Sequence, residues 1–162
     1  MVAYFSMEIA VVPEFPTYSG GLGVLAGDTL RAAADMGLSL AAVTLAHRKG
    51  YFNQRLDATG IQTEEPQPWS PETVLVGEDP IVTVTIEGRP VAVRAWRYEL
   101  EGVTGHRIPI YFLDTDLEQN DPRDRTLTDT LYGGDADYRL RQEAILGIGG
   151  ARMLRALEYE PS

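Results

Sequence analysis

From Leu38 to Ala46 the chain runs Leu-Ser-Leu-Ala-Ala-Val-Thr-Leu-Ala, apolar almost throughout. Such a run is too short to span a bilayer, and it has no polar face to offer to water. It predicts a parallel strand covered on both sides, which demands a layered α/β domain. The residues upstream supply the first part of that domain. Val2-Ala3-Tyr4-Phe5 reads as a buried strand ending at Ser6-Met7-Glu8. Pro13, Pro16 and Ser19-Gly20-Gly21 then impose a loop, after which Leu22, Ala26, Leu30 and Ala33 recur at helical spacing up to Gly37. The order is strand, glycine-rich loop, helix, strand.

Further along, Arg48 to Asp79 carries few large apolar groups and reads as an insertion with local packing. Val82, Val84 and Ile86 alternate with threonines, Glu87-Gly88 makes a turn, and a second alternating run from Val91 to Tyr98 completes a hairpin. Ile108, Ile110 and Phe112 predict another strand, and the acidic stretch from Asp114 to Asp129 predicts turns. A long helix is expected from Asp135, with Leu140, Ala144, Ile148, Ala151, Leu154 and Leu157 on its buried stripe. Gly147, Gly149 and Gly150 inside it suggest close helix packing. The elements fit a mixed sheet, with residues 47–112 an insertion and hairpin region.

Composition narrows the function. The 162 residues hold 14 Lys+Arg against 24 Asp+Glu, a formal charge of −10, which repels nucleic-acid backbones and anionic membranes alike. There is no cysteine, hence no disulfide or thiol chemistry, and the N-terminus lacks a basic flank, so a soluble cytoplasmic domain is expected.

The glycine loop carries the most chemistry. Gly20, Gly21 and Gly23 let backbone amides approach a ligand, and the helix behind them points its positive end at the same place, which suits an anion. The same glycines could equally serve only the turn and close packing. Gly21-Leu22-Gly23-Val24-Leu25-Ala26 also satisfies the dinucleotide fingerprint, but a proline-containing loop intervenes and the second strand ends Ala46-His47 without an acid, which argues against hydride chemistry. Asp114-Thr115-Asp116-Leu117-Glu118 begins like a calcium loop but has Gln119 at its sixth position and Arg125 at its twelfth, so a solvated loop is expected. His47-Arg48-Lys49 sits where α/β sheets bind ligands and offers an anion contact. Glu8, at the end of the first strand, is placed to line the crevice of the glycine loop.

Taken in order, several fragments resemble the N-terminal part of the α-glucan phosphorylases. They are Tyr4-Phe5-Ser6-Met7-Glu8, Tyr18-Ser19-Gly20-Gly21-Leu22-Gly23-Val24-Leu25-Ala26-Gly27-Asp28, Arg48-Lys49-Gly50-Tyr51-Phe52, Leu113-Asp114-Thr115-Asp116, Leu131-Tyr132-Gly133-Gly134-Asp135 and Arg139-Leu140-Arg141-Gln142-Glu143. Val24 after the third glycine makes the chain similar to the shorter bacterial branch. The resemblance implies a Rossmann-like, partial N-terminal domain (residues 1–162) of a twin-domain, GT-B type glycosyltransferase, lacking the C-terminal cofactor domain. It implies transfer of a glucosyl unit from an α-1,4-glucan to phosphate, giving glucose 1-phosphate, with pyridoxal 5′-phosphate as cofactor on a lysine outside this chain. Gly20, Gly21, Leu22 and Gly23 would approach phosphate and sugar, with Glu8 beside them; no catalytic residue or metal ligand is expected within the chain, which alone should be inactive. A homo-oligomer is expected. Two other readings stay open: a glucan-binding or regulatory module without chemistry, and a truncated transferase of the glycogen or starch synthase type.

Overall fold

The computed structural model describes residues 1–159. Three strands form its parallel centre: β1 (Val2–Phe5), β2 (Leu40–Leu45) and, beyond three short strands and a hairpin, β8 (Arg107–Asp114), with Ala3 beside Ala41 and Val43 beside Tyr111. Between β1 and β2 runs helix α1 (Gly21–Asp35). The hairpin is β6 (Val82–Ile86) and β7 (Arg89–Glu101), joined by Glu87 and Gly88 at φ 51° and 79°, the double left-handed turn that matches strand twist. Long β7 pairs antiparallel with β8 through its second half, placing Ala95 opposite Leu113, and with the two-residue β5 (Val76–Gly77). The order is β1-β2-β8-β7-β5, so the sheet is mixed. Within the region 47–112, β3 (Asn53–Leu56) and β4 (Gln62–Glu65) make a separate exposed ribbon.

Strand alternation explains the two-sided core. Leu40, Ala42, Ala46, Ile108, Ile110 and Phe112 face α1 and its Ala26, Leu30, Ala33 and Ala34. Ala41, Val43, Leu45, Tyr111 and Leu113 point the other way, against Ile145, Leu146, Met153 and Leu154. The unbroken apolar run of β2 is thus two interleaved faces, each with its own cover.

Two expectations are corrected. β1 is not a buried strand: it has only β2 as a neighbour among the described residues, and Val2 is 57% exposed. The last helix is also not one regular stripe. Asp135 caps α3 (Ala136–Ala144) by accepting from the Tyr138 amide at 2.9 Å, then Ile145–Gly149 forms a π turn, and α4 (Gly150–Ala156) follows. The buried face is Gln142, Ile145, Leu146, Gly149, Gly150, Met153 and Leu154, while Leu140 and Ile148 are 65% and 48% exposed. Gln142 lies inside because its amide donates to the carbonyls of Leu127 and Thr130, both at 3.0 Å. Gly149 and Gly150 pack on the sheet rather than on another helix: a Cβ on Gly150 would stand 2.6 Å from the Phe5 ring and 2.9 Å from Val43.

Candidate functional site

The site grows from the loop between β1 and α1. The Ile9 amide donates to the Thr17 carbonyl at 3.1 Å and Thr17 Oγ1 donates back to the Ile9 carbonyl at 2.9 Å, which closes the loop on itself. Phe15 plugs it into the core against Trp69, ring centroids 5.0 Å apart. The Ala10 amide donates to the Gly23 carbonyl at 2.9 Å, and Arg31 donates to the carbonyls of Ala10 and Val11, so loop and helix are fastened together. The approach is close enough that a Cβ on Gly27 would lie 2.2 Å from the Ala10 oxygen. Here glycine is a packing requirement.

Glu8 is 3% exposed and is the centre of the arrangement. Its Oε2 accepts from the amides of Ser19 at 2.8 Å and Gly20 at 3.3 Å, and its Oε1 accepts from the Tyr132 hydroxyl at 2.7 Å. Burial, together with that hydrogen bond to a carboxylate, pushes the Tyr132 hydroxyl up to about 12, so it stays a donor. Tyr132 itself is held at φ 56°, with its carbonyl accepting from Arg139. One carboxylate therefore ties the end of β1, the glycine loop and the turn before α3.

Beyond Gly20 the helix starts without a side-chain cap and without an acid in its first turn. Among the described residues, the amides of Gly21, Leu22 and Gly23 find no acceptor, and Gly21 and Leu22 are exposed. The four glycine-loop positions thus divide. Gly20 gives its amide to Glu8, and Gly21 and Leu22 present theirs outward. Gly23 is buried where a Cβ would meet Tyr18 Cβ at 2.5 Å and Glu8 Oε2 at 2.9 Å. Gly20 and Gly21 have open space where a side chain would go.

The basic triplet does not gather at this point. His47 is fully buried at φ 43°, with Nε2 2.8 Å from the Met7 carbonyl oxygen and Nδ1 without a partner among the described residues. Burial lowers its pKa to about 4, against the opposing pull of the Met7 carbonyl and Glu8, so it is neutral near pH 7. Arg48 is spent on Asp114, with Nη2 at 2.6 Å from Oδ2, and on Glu72 at 3.2 Å. Asp114 also accepts from Trp96 Nε1 at 2.9 Å; burial alone would raise its pKa, but Arg48 and Trp96 outweigh that and hold it low. Lys49 Nζ sits 2.7 Å from Asp129 Oδ2. The would-be calcium loop is part of this ion-pair network, since Asp116 pairs with Arg125 at 2.5 Å.

The sequence suggested Glu8 as a residue lining the crevice of the glycine loop; its carboxylate meets the Ser19 and Gly20 amides, and its third partner, Tyr132, was not foreseen. The only signal for Tyr132 was its place in the fragment Leu131-Tyr132-Gly133-Gly134-Asp135, which says nothing of a contact with Glu8.

No protein-family model matches the chain. Curated relatives do. The chain is 42% identical, over 99% of its length, to the maltodextrin phosphorylase of Thermococcus litoralis. It is 40% identical over 96% of its length to the glycogen phosphorylase of Mycobacterium tuberculosis, and 31% identical over 96% to that of Aquifex aeolicus. It spans only 20%, 18% and 23% of those proteins. By sequence, then, the chain is a relative of the maltodextrin and glycogen phosphorylases, matched along nearly its whole length to a minor part of theirs.

Proposed function

We propose that this chain is part of an α-glucan phosphorylase, the N-terminal portion of a Rossmann-like domain in a GT-B type enzyme. The enzyme would move a glucosyl unit from an α-1,4-glucan to phosphate, releasing glucose 1-phosphate. The observation that carries the reading is the uncapped N-terminus of α1: exposed, unpaired amides at Gly21 and Leu22 at the positive end of a 15-residue helix. Such an end carries roughly half a positive charge and attracts phosphate even on a chain of net charge −10. Glu8 shapes this cradle without filling it, because it draws the Ser19 and Gly20 amides inward and leaves those of Gly21 and Leu22 outside.

Phosphorylases of this kind would need pyridoxal phosphate, whose own phosphate supplies a proton to the substrate phosphate. The chain's residues do not fit the attachment of that cofactor. Lys49 is its only lysine, and the ammonium is ion-paired with Asp129. The cofactor lysine, and the second wall that excludes water from the transfer, would come from outside this segment. We therefore expect the chain alone to release no glucose 1-phosphate from maltodextrin. The reading also takes the protein to be cytoplasmic and to self-associate, in keeping with its lack of cysteine and with the exposed Leu140 and Ile148.

Amide chemical shifts followed during titration with inorganic phosphate test the cradle. Saturable shifts at Gly21 and Leu22, lost at high salt, are the expected result. Unchanged Gly21 and Leu22 amides at tens of millimolar phosphate would reduce the glycines to a turn.

A further inference from the structure

A buried carboxylate beside an uncapped helix N-terminus is expected to close on that helix, yet Glu8 does not. Side-chain oxygens favour this position because they satisfy orphan amides, and a carboxylate also meets the positive end of the dipole. Helix α1 has no side-chain cap and no acid in its first turn. Glu8 is 3% exposed, and among the described residues no arginine or lysine pairs with it. It also lies within reach. A Cβ on Gly23, in the first turn of the helix, would stand 2.9 Å from Glu8 Oε2. That oxygen is thus level with the amide that a capping side chain ordinarily takes. Instead it accepts from Ser19 at 2.8 Å and Gly20 at 3.3 Å, both ahead of the helix.

What holds the carboxylate off the helix is its other oxygen, which accepts from the Tyr132 hydroxyl at 2.7 Å. To swing onto Leu22 or Gly23, Glu8 would have to give up that bond, because the hydroxyl is not free to follow. Tyr132 rides on a fastened turn. The Leu131 amide donates to the Gly50 carbonyl at 2.9 Å, and Arg139 donates to the Tyr132 carbonyl at 3.2 Å. The Tyr51 ring stands nearly perpendicular to that of Tyr132, centroids 6.4 Å apart. A Cβ on Gly133 would lie 2.9 Å from Thr130 Cβ, so the turn is also closely packed. Tyr132 itself is held at φ 56°, a conformation that a glycine adopts readily and a tyrosine rarely. Strain of this kind collects where a side chain has a task. Among the described residues the Tyr132 hydroxyl has one hydrogen bond, the one to Glu8.

We propose that Tyr132 is a positioning residue for the anion cradle: its hydroxyl pins Glu8 on the Ser19–Gly20 side, stops the carboxylate from capping α1, and so keeps the Gly21 and Leu22 amides open. Without the pin, the chain's own carboxylate takes the place of an external anion. Its charge then cancels the attraction of the helix end and repels whatever anion approaches. The site is blocked from within. The pinning stands on the hydrogen bonds around Glu8; its consequence for phosphate rests on the reading proposed above.

Tyr132→Phe in the full 162-residue chain keeps the ring and removes the hydroxyl. Before any phosphate is added, amide hydrogen exchange in this variant should slow about fivefold at Leu22 or Gly23, as one of them gains the carboxylate, and quicken at Ser19 and Gly20. A merely structural role would loosen the loop and quicken all four. The β2 amides of Ala42 and Val43, which report on the fold, should stay as protected as in the parent. In a titration with inorganic phosphate followed at Gly21 and Leu22, the Kd of the variant should rise about fivefold, because only about a fifth of the molecules keep the cradle open. In a Glu8→Gln background, whose neutral side chain repels no anion, Tyr132→Phe should change the Kd by less than about twofold. Exchange that is unchanged or faster at both Leu22 and Gly23 would overturn the proposal, and so would a fivefold loss that persists with Glu8→Gln. A parent chain whose Gly21 and Leu22 amides ignore phosphate would defeat the phosphate reading instead, and the exchange rates alone would then decide on Tyr132.

Discussion

Replacing Glu8 with alanine deprives three donors of one acceptor: the amides of Ser19 and Gly20 and the hydroxyl of Tyr132. A hydrogen bond to a charged group contributes about 1.5–3 kcal/mol, but the Gly20 contact is long at 3.3 Å, and Ser19 and Gly20 are exposed enough to recover water. The net loss for Glu8→Ala is therefore about 3 kcal/mol, a drop in Tm of roughly 6–12 °C for a chain of this size. Glu8→Gln should lose only about 1 kcal/mol. Its carbonyl oxygen can keep the two amides, and its NH₂ can donate to a Tyr132 hydroxyl turned to accept, so that only the charge assistance is lost. A double-mutant cycle of Glu8→Ala with Tyr132→Phe, read by urea unfolding, should give a coupling of about 1–2 kcal/mol. If Glu8→Ala stays within about 0.5 kcal/mol of the parent, or Glu8→Gln is as damaging as Glu8→Ala, the carboxylate does not tie the three segments as argued.

The glycines should separate by stability. Gly21→Ala, entering open space, leaves Tm unchanged or slightly higher, whereas Gly27→Ala, set against the Ala10 oxygen, costs about 2 kcal/mol after the helix-propensity gain of roughly 1 kcal/mol. His47 should make the chain acid-sensitive. Its folded pKa of about 4 lies below its ordinary 6.5, so its contribution is whole above pH 6.5 and lost as pH falls from 6.5 to 4, amounting to about 3 kcal/mol. In His47→Gln the urea midpoint should vary less across that window. Light scattering at micromolar concentration should report self-association, abolished by Leu140→Glu with Ile148→Glu; an unaltered oligomer in that variant would move the interface elsewhere.

The sheet was legible because its pattern is local. In β2 the alternation Leu40, Ala42 against Ala41, Val43 is written in consecutive residues, and the Glu87-Gly88 turn announces the hairpin on either side of it. The last helix was misread because its stripe was drawn through Leu140, Ala144 and Ile148, whereas the face on the sheet carries Gln142, Ile145, Leu146 and Gly149, small or polar residues among them, and a π turn interrupts the helix at Ile145–Gly149. Gln142 was passed over as polar, although its two carbonyl partners place it inside. For His47 the basic triplet suggested an anion contact, whereas the imidazole is fully buried. Its burial depends in part on Trp69, whose indole donates to the Ala46 and His47 carbonyls from 23 and 22 positions away. The glycine loop was legible as a turn before a helix, but which amides it leaves free depended on the partner that Glu8 chose.

The bond between Glu8 and Tyr132 spans 124 positions of the chain. During synthesis at roughly 5–20 residues per second, Glu8 leaves the ribosome roughly 6–25 seconds before the hydroxyl that will hold its second oxygen. Through that interval β1, α1 and β2 can already pair, since their contacts are local, but the carboxylate beneath the glycine loop has only the Ser19 and Gly20 amides to hold it. Closing so long a loop is also entropically late in any refolding reaction. The glycine loop is therefore among the last parts of the molecule to acquire its final shape, and nascent chains shorter than 132 residues carry the loop's sequence without its clasp.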